Sequence, residues 1–278
     1  MNLVISKWTG AVLLLALLVS PAQAEKPRFG DTYTFSLGVM NNAGNGAVAS
    51  TRLDLPADRL TFAELDLDDD KDILWASLAW QFSERGQLRF SYSNFDTKGL
   101  VIAGTSGNFE GIDWEAGAVL ASSLDVDVYI LDATWDLLTS DRGHLGIGAG
   151  VHAADLDFEL LIGVFASVGG GDFEFVPVEF EEASVLAPLP NLALAGGYRI
   201  GRNVYFDGRV GWFSLNYDNY EGDLYSFRGG VEWRPWEHVG LGFAYQYVDV
   251  DVVRKRSSGR EVYDLTFDGP ILFVSAGF

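Results

Sequence analysis

The chain ends on Ile271-Leu272-Phe273-Val274-Ser275-Ala276-Gly277-Phe278, with Leu272, Val274, Ala276 and Phe278 on one face of a strand and an aromatic as the last residue. Successive side chains of a strand point to opposite faces. A period of two with one apolar face therefore suits a strand that meets lipid on one side and a lumen on the other. A soluble protein can also finish on a core strand, so the rest of the chain has to separate the two readings.

Upstream the same alternation recurs. Tyr33, Phe35, Leu37 and Val39 oppose Thr34, Ser36 and Gly38, and Leu74, Ala76, Leu78 and Trp80 oppose Trp75, Ser77 and Ala79. After the turn at 83–86, Leu88, Phe90 and Tyr92 oppose Arg89, Ser91 and Ser93, which predicts a hairpin. Tyr129, Leu131, Ala133 and Trp135 face away from Ile130, Asp132, Thr134 and Asp136. Beyond the turn at 139–143, Leu145, Ile147, Ala149 and Val151 face away from Gly146, Gly148, Gly150 and His152. Two further pairs, 192–200 with 204–212 and 225–233 with 241–247, repeat the design before the terminal strand.

The count is roughly ten strands, each near the 9–11 residues that cross a bilayer at a tilt, with eight or twelve as alternatives. Tight turns at 84–86, 139–143, 201–203 and 235–238 alternate with longer segments at 41–72, 99–124, 159–189, 218–223 and 253–265. Short periplasmic turns and long external loops are sorted in this way in outer-membrane barrels. The fold class is thus all-β: a transmembrane antiparallel up-and-down β-barrel. A secreted β-sandwich or lipocalin-like barrel is the rival, but it would bury the charges of the inner faces in an apolar core.

Residues 1–24 read as a secretory signal. Lys7 supplies the positive region, 11–19 the apolar stretch, and Ala22-Gln23-Ala24 the small-x-small cleavage site, leaving 25–278 as the barrel domain. The absence of cysteine removes a lipoprotein anchor, a disulfide framework and thiol chemistry. With 32 Gly and 38 aromatic residues (8 Trp, 11 Tyr and 19 Phe), the composition suits tight strand packing and aromatic girdles. A net charge of -20 argues against a nucleic-acid partner, which would need clustered Lys and Arg.

Several stretches resemble small outer-membrane barrels of Gram-negative bacteria, the group of OmpA-like, OmpX-like and OmpW-like proteins, and within it a set of proteobacterial barrels. They are the acidic run 65–72, Phe82-Ser83-Glu84-Arg85-Gly86-Gln87-Leu88, Ala187-Pro188-Leu189-Pro190, 212–217 and Val239-Gly240-Leu241-Gly242. The resemblance covers most of the mature chain. It implies an outer-membrane location, with lipid, lipopolysaccharide and the barrel assembly machinery as partners, and a monomeric state. It carries no shared catalytic motif.

The inner faces gather Arg89, Arg199, Arg209, Arg228 and Arg234 against Asp132, Asp136, Asp207 and Glu232. So near a balance predicts ion pairs filling a narrow lumen, since an isolated charge there costs several kcal/mol. The alternative is an ion-selective passage. An open aqueous channel, however, is expected at about sixteen strands.

His144 and His238 fall at turns. His152 faces inward near the outer end of its strand, where a lipid hydrolase would keep its imidazole, but no spacing identifies the serine and acid of a triad. Asp66, Asp68, Asp70 and Asp72 would share one face if that stretch were extended, and could then gather Ca²⁺, although the glycine and distal glutamate of an EF-hand loop are missing. A solvated acidic loop is the simpler reading of these four, as of Asp155, Asp157 and Glu159. No organic cofactor is expected. The first functional expectation is a non-enzymatic envelope protein; a small-solute channel of the OmpW-like kind is second and an outer-membrane lipid hydrolase third.

Overall fold

The computed structural model describes residues 29, 31–52, 60–67, 70–109, 112–167, 173–217, 220–256 and 259–278; the expected signal segment 1–24 lies outside them. Ten antiparallel strands follow one another round a ring: β1 (Tyr33–Arg52), β2 (Asp70–Gln81), β3 (Gly86–Ile102), β4 (Val119–Thr139), β5 (Gly143–Ser167), β6 (Phe173–Ile200), β7 (Val204–Tyr217), β8 (Tyr220–Trp233), β9 (Val239–Arg256) and β10 (Gly259–Gly277). β10 pairs with β1, Thr34 opposite Gly277 and Arg52 opposite Gly259, and so closes the barrel. The terminal Phe278 exchanges backbone hydrogen bonds with Tyr33. Closure leaves no free edge at this seam, and a free edge is what would otherwise recruit another chain.

Each strand reads differently at its two ends. On β5 the odd positions Leu145, Ile147, Ala149 and Val151 are exposed, while His152 and Gly146 are buried. Past Ala154 the odd positions become Asp155, Asp157 and Glu159, and the buried even ones are Leu156, Phe158, Leu160 and Ile162. From Leu145 to Ile162 the side chains keep their alternation; only their chemistry inverts. β10 inverts at Pro270: Leu272, Val274 and Phe278 point out on one side of it, and Asp264 and Asp268 on the other, where Tyr263 and Leu265 are buried inside. The outward apolar section is a lipid-facing belt. The inward apolar section is a barrel standing in water, with its own hydrophobic core.

Aromatic side chains mark both borders of the belt. Tyr129, Trp212, Tyr225 and Tyr245 lie on the side away from the short turns, and Tyr33, Trp80, Trp135, Tyr198, Trp233 and Phe278 near the turns. Along β8, Tyr225 and Trp233 are separated by about 27 Å of strand at ~3.4 Å per residue, enough to cross an apolar band at a tilt. Among the described residues no helix is long and apolar enough to cross a membrane; the crossing is made by strands.

Much of what the alternation marks as long loops is strand. β4, β5 and β6 run for 21, 25 and 28 residues and carry the barrel well beyond the belt. The expected loops at 99–124 and 159–189 are thereby corrected. The first contains the end of β3, a small hairpin (Gly107–Phe109 with Ile112–Trp114) and the start of β4; the second is mostly the β5–β6 hairpin.

Two ladders stop short. β2 and β3 part beyond Trp75–Ser93, and β6 and β7 part beyond Leu192–Trp212. Pro188 and Pro190 sit on β6 past that second parting, where only β5 pairs with it, so a missing N–H is tolerated.

The segment 60–67 folds back into the barrel. The backbone N–H of Phe62 donates to the Gly46 carbonyl, and Thr61 and Glu64 cap a 3₁₀ turn reciprocally: the Glu64 N–H donates to the Thr61 hydroxyl and the Thr61 N–H to the Glu64 carboxylate. These bonds hold the Glu64 carboxyl below its ordinary pKa, the Thr61 N–H first and the hydroxyl second. Leu60, Phe62, Leu65 and Leu67 are buried among Leu124, Val126, Phe158 and Leu265, each worth roughly 1.5–3 kcal/mol of apolar burial. Gly99 permits the approach, since a Cβ there would lie 1.9 Å from the Leu65 carbonyl oxygen.

Candidate functional site in the barrel lumen

Within the belt the inward faces are polar, and their charges fall in layers. Nearest the turns, Arg234 is almost fully buried. It pairs with Asp31 and, through Nε at 2.6 Å, with Glu232, while its guanidinium lies 4.1 Å over the Phe29 ring. Glu232 also accepts from the Ser275 hydroxyl at 2.5 Å. Beside this layer His144 Nδ1 donates to Asp136 at 2.8 Å, and the Tyr205 hydroxyl lies 2.5 Å from Nε2. Arg199 reaches out to the Asp141 carbonyl at the turn, at 2.9 Å.

One layer further in, Asp207 accepts from Arg228 Nη1 at 2.5 Å, with Arg89 Nη1 at 3.7 Å on the same carboxylate oxygen. Arg228 also lies 5.5 Å from the centre of the Trp75 ring, so its flat face is covered as well as its edge. Arg209 donates to Asp132 at 2.6 Å and to the Asn191 side-chain oxygen at 3.3 Å, and Asn191 Nδ2 stands 2.7 Å from His152 Nε2. Gly150 makes the room: a Cβ there would meet an Asp132 carboxylate oxygen at 2.1 Å. Two cavities of ≈ 60 Å³ each flank the Arg89–Asp207–Arg228 layer, one towards the turns and one towards His152. Above them the lumen is filled by the apolar core.

The structure thus brings Arg89, Asp132, Asp207, Arg209, Arg228, Glu232 and Arg234 into linked pairs. Asp136 goes to a histidine and Arg199 to a backbone carbonyl, not to each other's layer. Sequence reasoning did not reach Asp31, Asn191 or the partnership of His144 with Tyr205. Parity carried a signal for two of these: Asn191 is in phase with the inward Ala193, and His144 with the inward Gly146. Asp31 precedes the first alternating strand and gave none. His238 donates from Nδ1 to the Gly277 carbonyl and stacks on Phe278, which pins the C-terminus.

The acidic run is not extended throughout. Asp66 follows the 3₁₀ turn with φ 53°, Asp68 lies outside the described residues, and Asp72 points outward from β2 to accept from Asn41 at 3.0 Å. The premise of four carboxylates on one strand face therefore fails at Asp66. Among the described residues no group of three or more His, Asp or Glu is placed to hold a metal ion.

On the outer face of β4 and β5, Asp125 stands opposite Asp157 and Asp127 opposite Asp155. Asn94 donates to both Asp125 and Asp127, at 2.9 Å each. Burial first, then Asp155, Asp125, Glu159 and Asp127, push the Asp157 carboxyl above its ordinary pKa.

No protein-family model matches the chain, and no curated protein matches it. Among solved structures, the outer membrane protease OmpT from Escherichia coli is similar over 88% of this chain and 96% of that one, with a TM-score of 0.59 at 12% identity. The outer membrane protein OprG from Pseudomonas aeruginosa covers 89% of this chain and 97% of its own, at 10% identity and a TM-score of 0.36. The Pseudomonas putida toluene transporter TodX covers 91% and 92%, at 10% identity and 0.36. At such identities the likeness to OmpT speaks for the fold alone, and the other two are too distant to argue from. With its closed ten-strand ring and apolar belt, the chain has the fold of an outer-membrane β-barrel.

Proposed function

We propose that the protein is a non-enzymatic integral barrel of the outer membrane, structural or interacting through its outer section, with a lumen closed to solutes. One observation carries this reading: the lumen beyond the belt is packed with buried apolar side chains, Phe62 and Leu65 of the returning segment among them. A conducting pore would need a continuous polar path, and among the described residues this stretch offers none. The two cavities on the belt side of it are small and separated by a layer of ion pairs.

In this reading residues 1–24 are removed after Ala24 and the short turns face the periplasm. The long strands then stand outside, displaying an acidic surface above lipid and lipopolysaccharide. Insertion by the barrel assembly machinery as a monomer suits the closed β1–β10 seam. The imidazole of His152 meets an amide, which supports a structural role over that of a hydrolase base. A small-solute passage is the second reading, and the cavity nearer the turns, lined mainly by polar side chains, favours it.

Purified protein in planar bilayers tests the choice. The closed-lumen reading expects no stable porin-sized current from the wild type. It expects currents from a variant lacking residues 60–67. Sustained large currents from the wild type would overturn it.

A further inference from the structure

Two polar groups inside the belt are buried without a hydrogen-bond partner among the described residues, His152 Nδ1 and Arg228 Nε. Both residues line the cavity of ≈ 60 Å³ on the His152 side of the Arg89–Asp207–Arg228 layer. For Arg228 the unmet group is a donor by nature, since a guanidinium has no acceptor. For His152 the neighbours decide. Arg209 donates to the Asn191 side-chain oxygen, so the amide nitrogen, which only donates, is the atom facing His152 Nε2 at 2.7 Å. Nε2 therefore accepts, the imidazole is neutral, and its proton sits on Nδ1. At 6% exposure that proton is out of reach of bulk solvent. Two unmet donors at one cavity call for an acceptor.

Charge sets the next condition. Arg89, Arg209, Arg228 and Arg234 stand against Asp31, Asp132, Asp207 and Glu232 in the two linked layers, four of each sign. An ion of either sign would upset that balance in a poorly solvated interior, so the occupant that fits carries no net charge.

Volume and lining set the third. At ~10–15 Å³ for each water-sized unit, the cavity has room for about four to six of them. Much of its wall is carbon, from Ile130, Ala195, Val248 and the bare backbone of Gly196 and Gly208. A buried water wants about two to four polar partners, and one set against this carbon lacks them. A compact organic molecule covers the carbon and brings the missing oxygen to the donors.

We propose that this cavity is a binding site for a small neutral molecule with an apolar body and a carbonyl oxygen, a short-chain or cyclic ketone being the type. The two lone pairs of the oxygen accept from His152 Nδ1–H and Arg228 Nε–H, and the hydrocarbon part lies against Ile130 and Val248. Arg89 lines this cavity and the one nearer the turns, and at 3.7 Å its hold on Asp207 is looser than that of Arg228 at 2.5 Å. The way in from the turn end therefore runs past Arg89. The pocket is blind beneath the apolar core, so it goes beyond a closed lumen and holds whether or not the barrel conducts.

Cyclopentanone and its isostere methylenecyclopentane, in which a CH₂ group replaces the carbonyl oxygen, are the probes. In lipid nanodiscs holding the mature barrel with isotope-labelled histidine, titrating the ketone should move the Nδ1–H resonance of His152 along a saturating curve. The alkene should leave it in place. His152→Phe, which lacks the resonance, assigns it. In Arg228→Lys, which keeps a positive charge beside Asp207 but loses the Nε–H, the Kd for the ketone should rise severalfold, and an unchanged Kd would overturn the part given to Arg228. A wild-type signal unmoved by the ketone means that the cavity holds water only, and overturns the proposal. Equal responses to ketone and alkene mean unselective uptake of apolar matter, and overturn it equally. Both of these outcomes are read on the wild-type barrel and stand even if a variant fails to fold.

Discussion

Removing Asp207 tests whether the lumen charges are truly desolvated. In Asp207→Ala the Arg228 guanidinium loses its carboxylate at 2.5 Å and Arg89 loses its own at 3.7 Å. The Arg228 and Asp207 side chains are only 13% and 16% exposed, so water compensates little. Coulomb's law at an effective dielectric near 20 gives about 4 kcal/mol for unit charges ~4 Å apart, within the ~3–5 kcal/mol typical of breaking a buried pair from one side. Glu232→Ala should cost less, about 1–2 kcal/mol, because Arg234 retains Asp31. Arg228→Met combined with Asp207→Ala should recover most of the loss, since Met keeps the packing against Trp75 while removing the stranded charge. Urea unfolding of the refolded barrel in lipid vesicles, followed by tryptophan fluorescence, gives these free energies, and with the Arg228→Met single variant added it closes the cycle that yields the coupling. A cost below ~1 kcal/mol for Asp207→Ala, with no coupling to Arg228, would refute the reasoning and mean that the lumen is wet enough to screen its pairs.

Three further outcomes follow from the geometry. On intact cells, cysteines at Asp125 and Ile102 should react with a membrane-impermeant thiol reagent, whereas Arg202→Cys at a short turn and Leu65→Cys inside the barrel should not; fast labelling of Arg202→Cys would reverse the orientation. Deleting Phe278 removes the backbone exchange with Tyr33 that closes the seam, so the amount of heat-modifiable protein in the outer membrane should drop; unchanged abundance would show that the seam forms without it. Asp157 has a raised carboxyl pKa in the fold, so the native state binds its proton more tightly than the unfolded chain does, and its cost is present near neutral pH and fades as pH falls through that raised value. Asp157→Asn should therefore stabilise by about 0.5 kcal/mol near pH 7, after allowing for solvent screening, and by progressively less as pH falls to and below the ordinary value of 3.8; equal urea midpoints for the two proteins near pH 7 would count against the like-charge ladder.

The inversion of chemistry along each strand explains both what was legible in the sequence and what was not. In the belt, outward residues such as Leu145, Ile147 and Val151 are apolar against small or polar inward ones, and that contrast yields strand, face and closure from the residues alone. Past Ala154 the contrast returns with its sign reversed, Leu156, Phe158 and Leu160 against Asp155, Asp157 and Glu159. A reading that expects outward residues to stay apolar loses the strand there and substitutes a loop, although the period of two holds as far as Ile162, where the register shifts. The lumen network was legible for the same reason as the belt, since parity places Arg89, Asp132, Asp207, Arg209, Arg228 and Glu232 on inward faces. Parity does not say who pairs with whom, because that depends on which strands lie across the lumen: Arg209 on β7 reaches Asp132 on β4, three strands away around the ring. The returning segment was illegible for a different reason. Leu60, Phe62, Leu65 and Leu67 follow no strand period, and their burial depends on space that exists only once the β2–β3 ladder has parted beyond Trp75. Because that space is filled by a piece of the chain itself, the outer section has the interior of a soluble protein, and large-to-small changes there should behave as core changes do. Phe158→Ala, at a residue that is 0% exposed, should cost about 3–5 kcal/mol. The lipid-facing Phe206→Ala should cost less, because lipid closes over the gap that protein cannot.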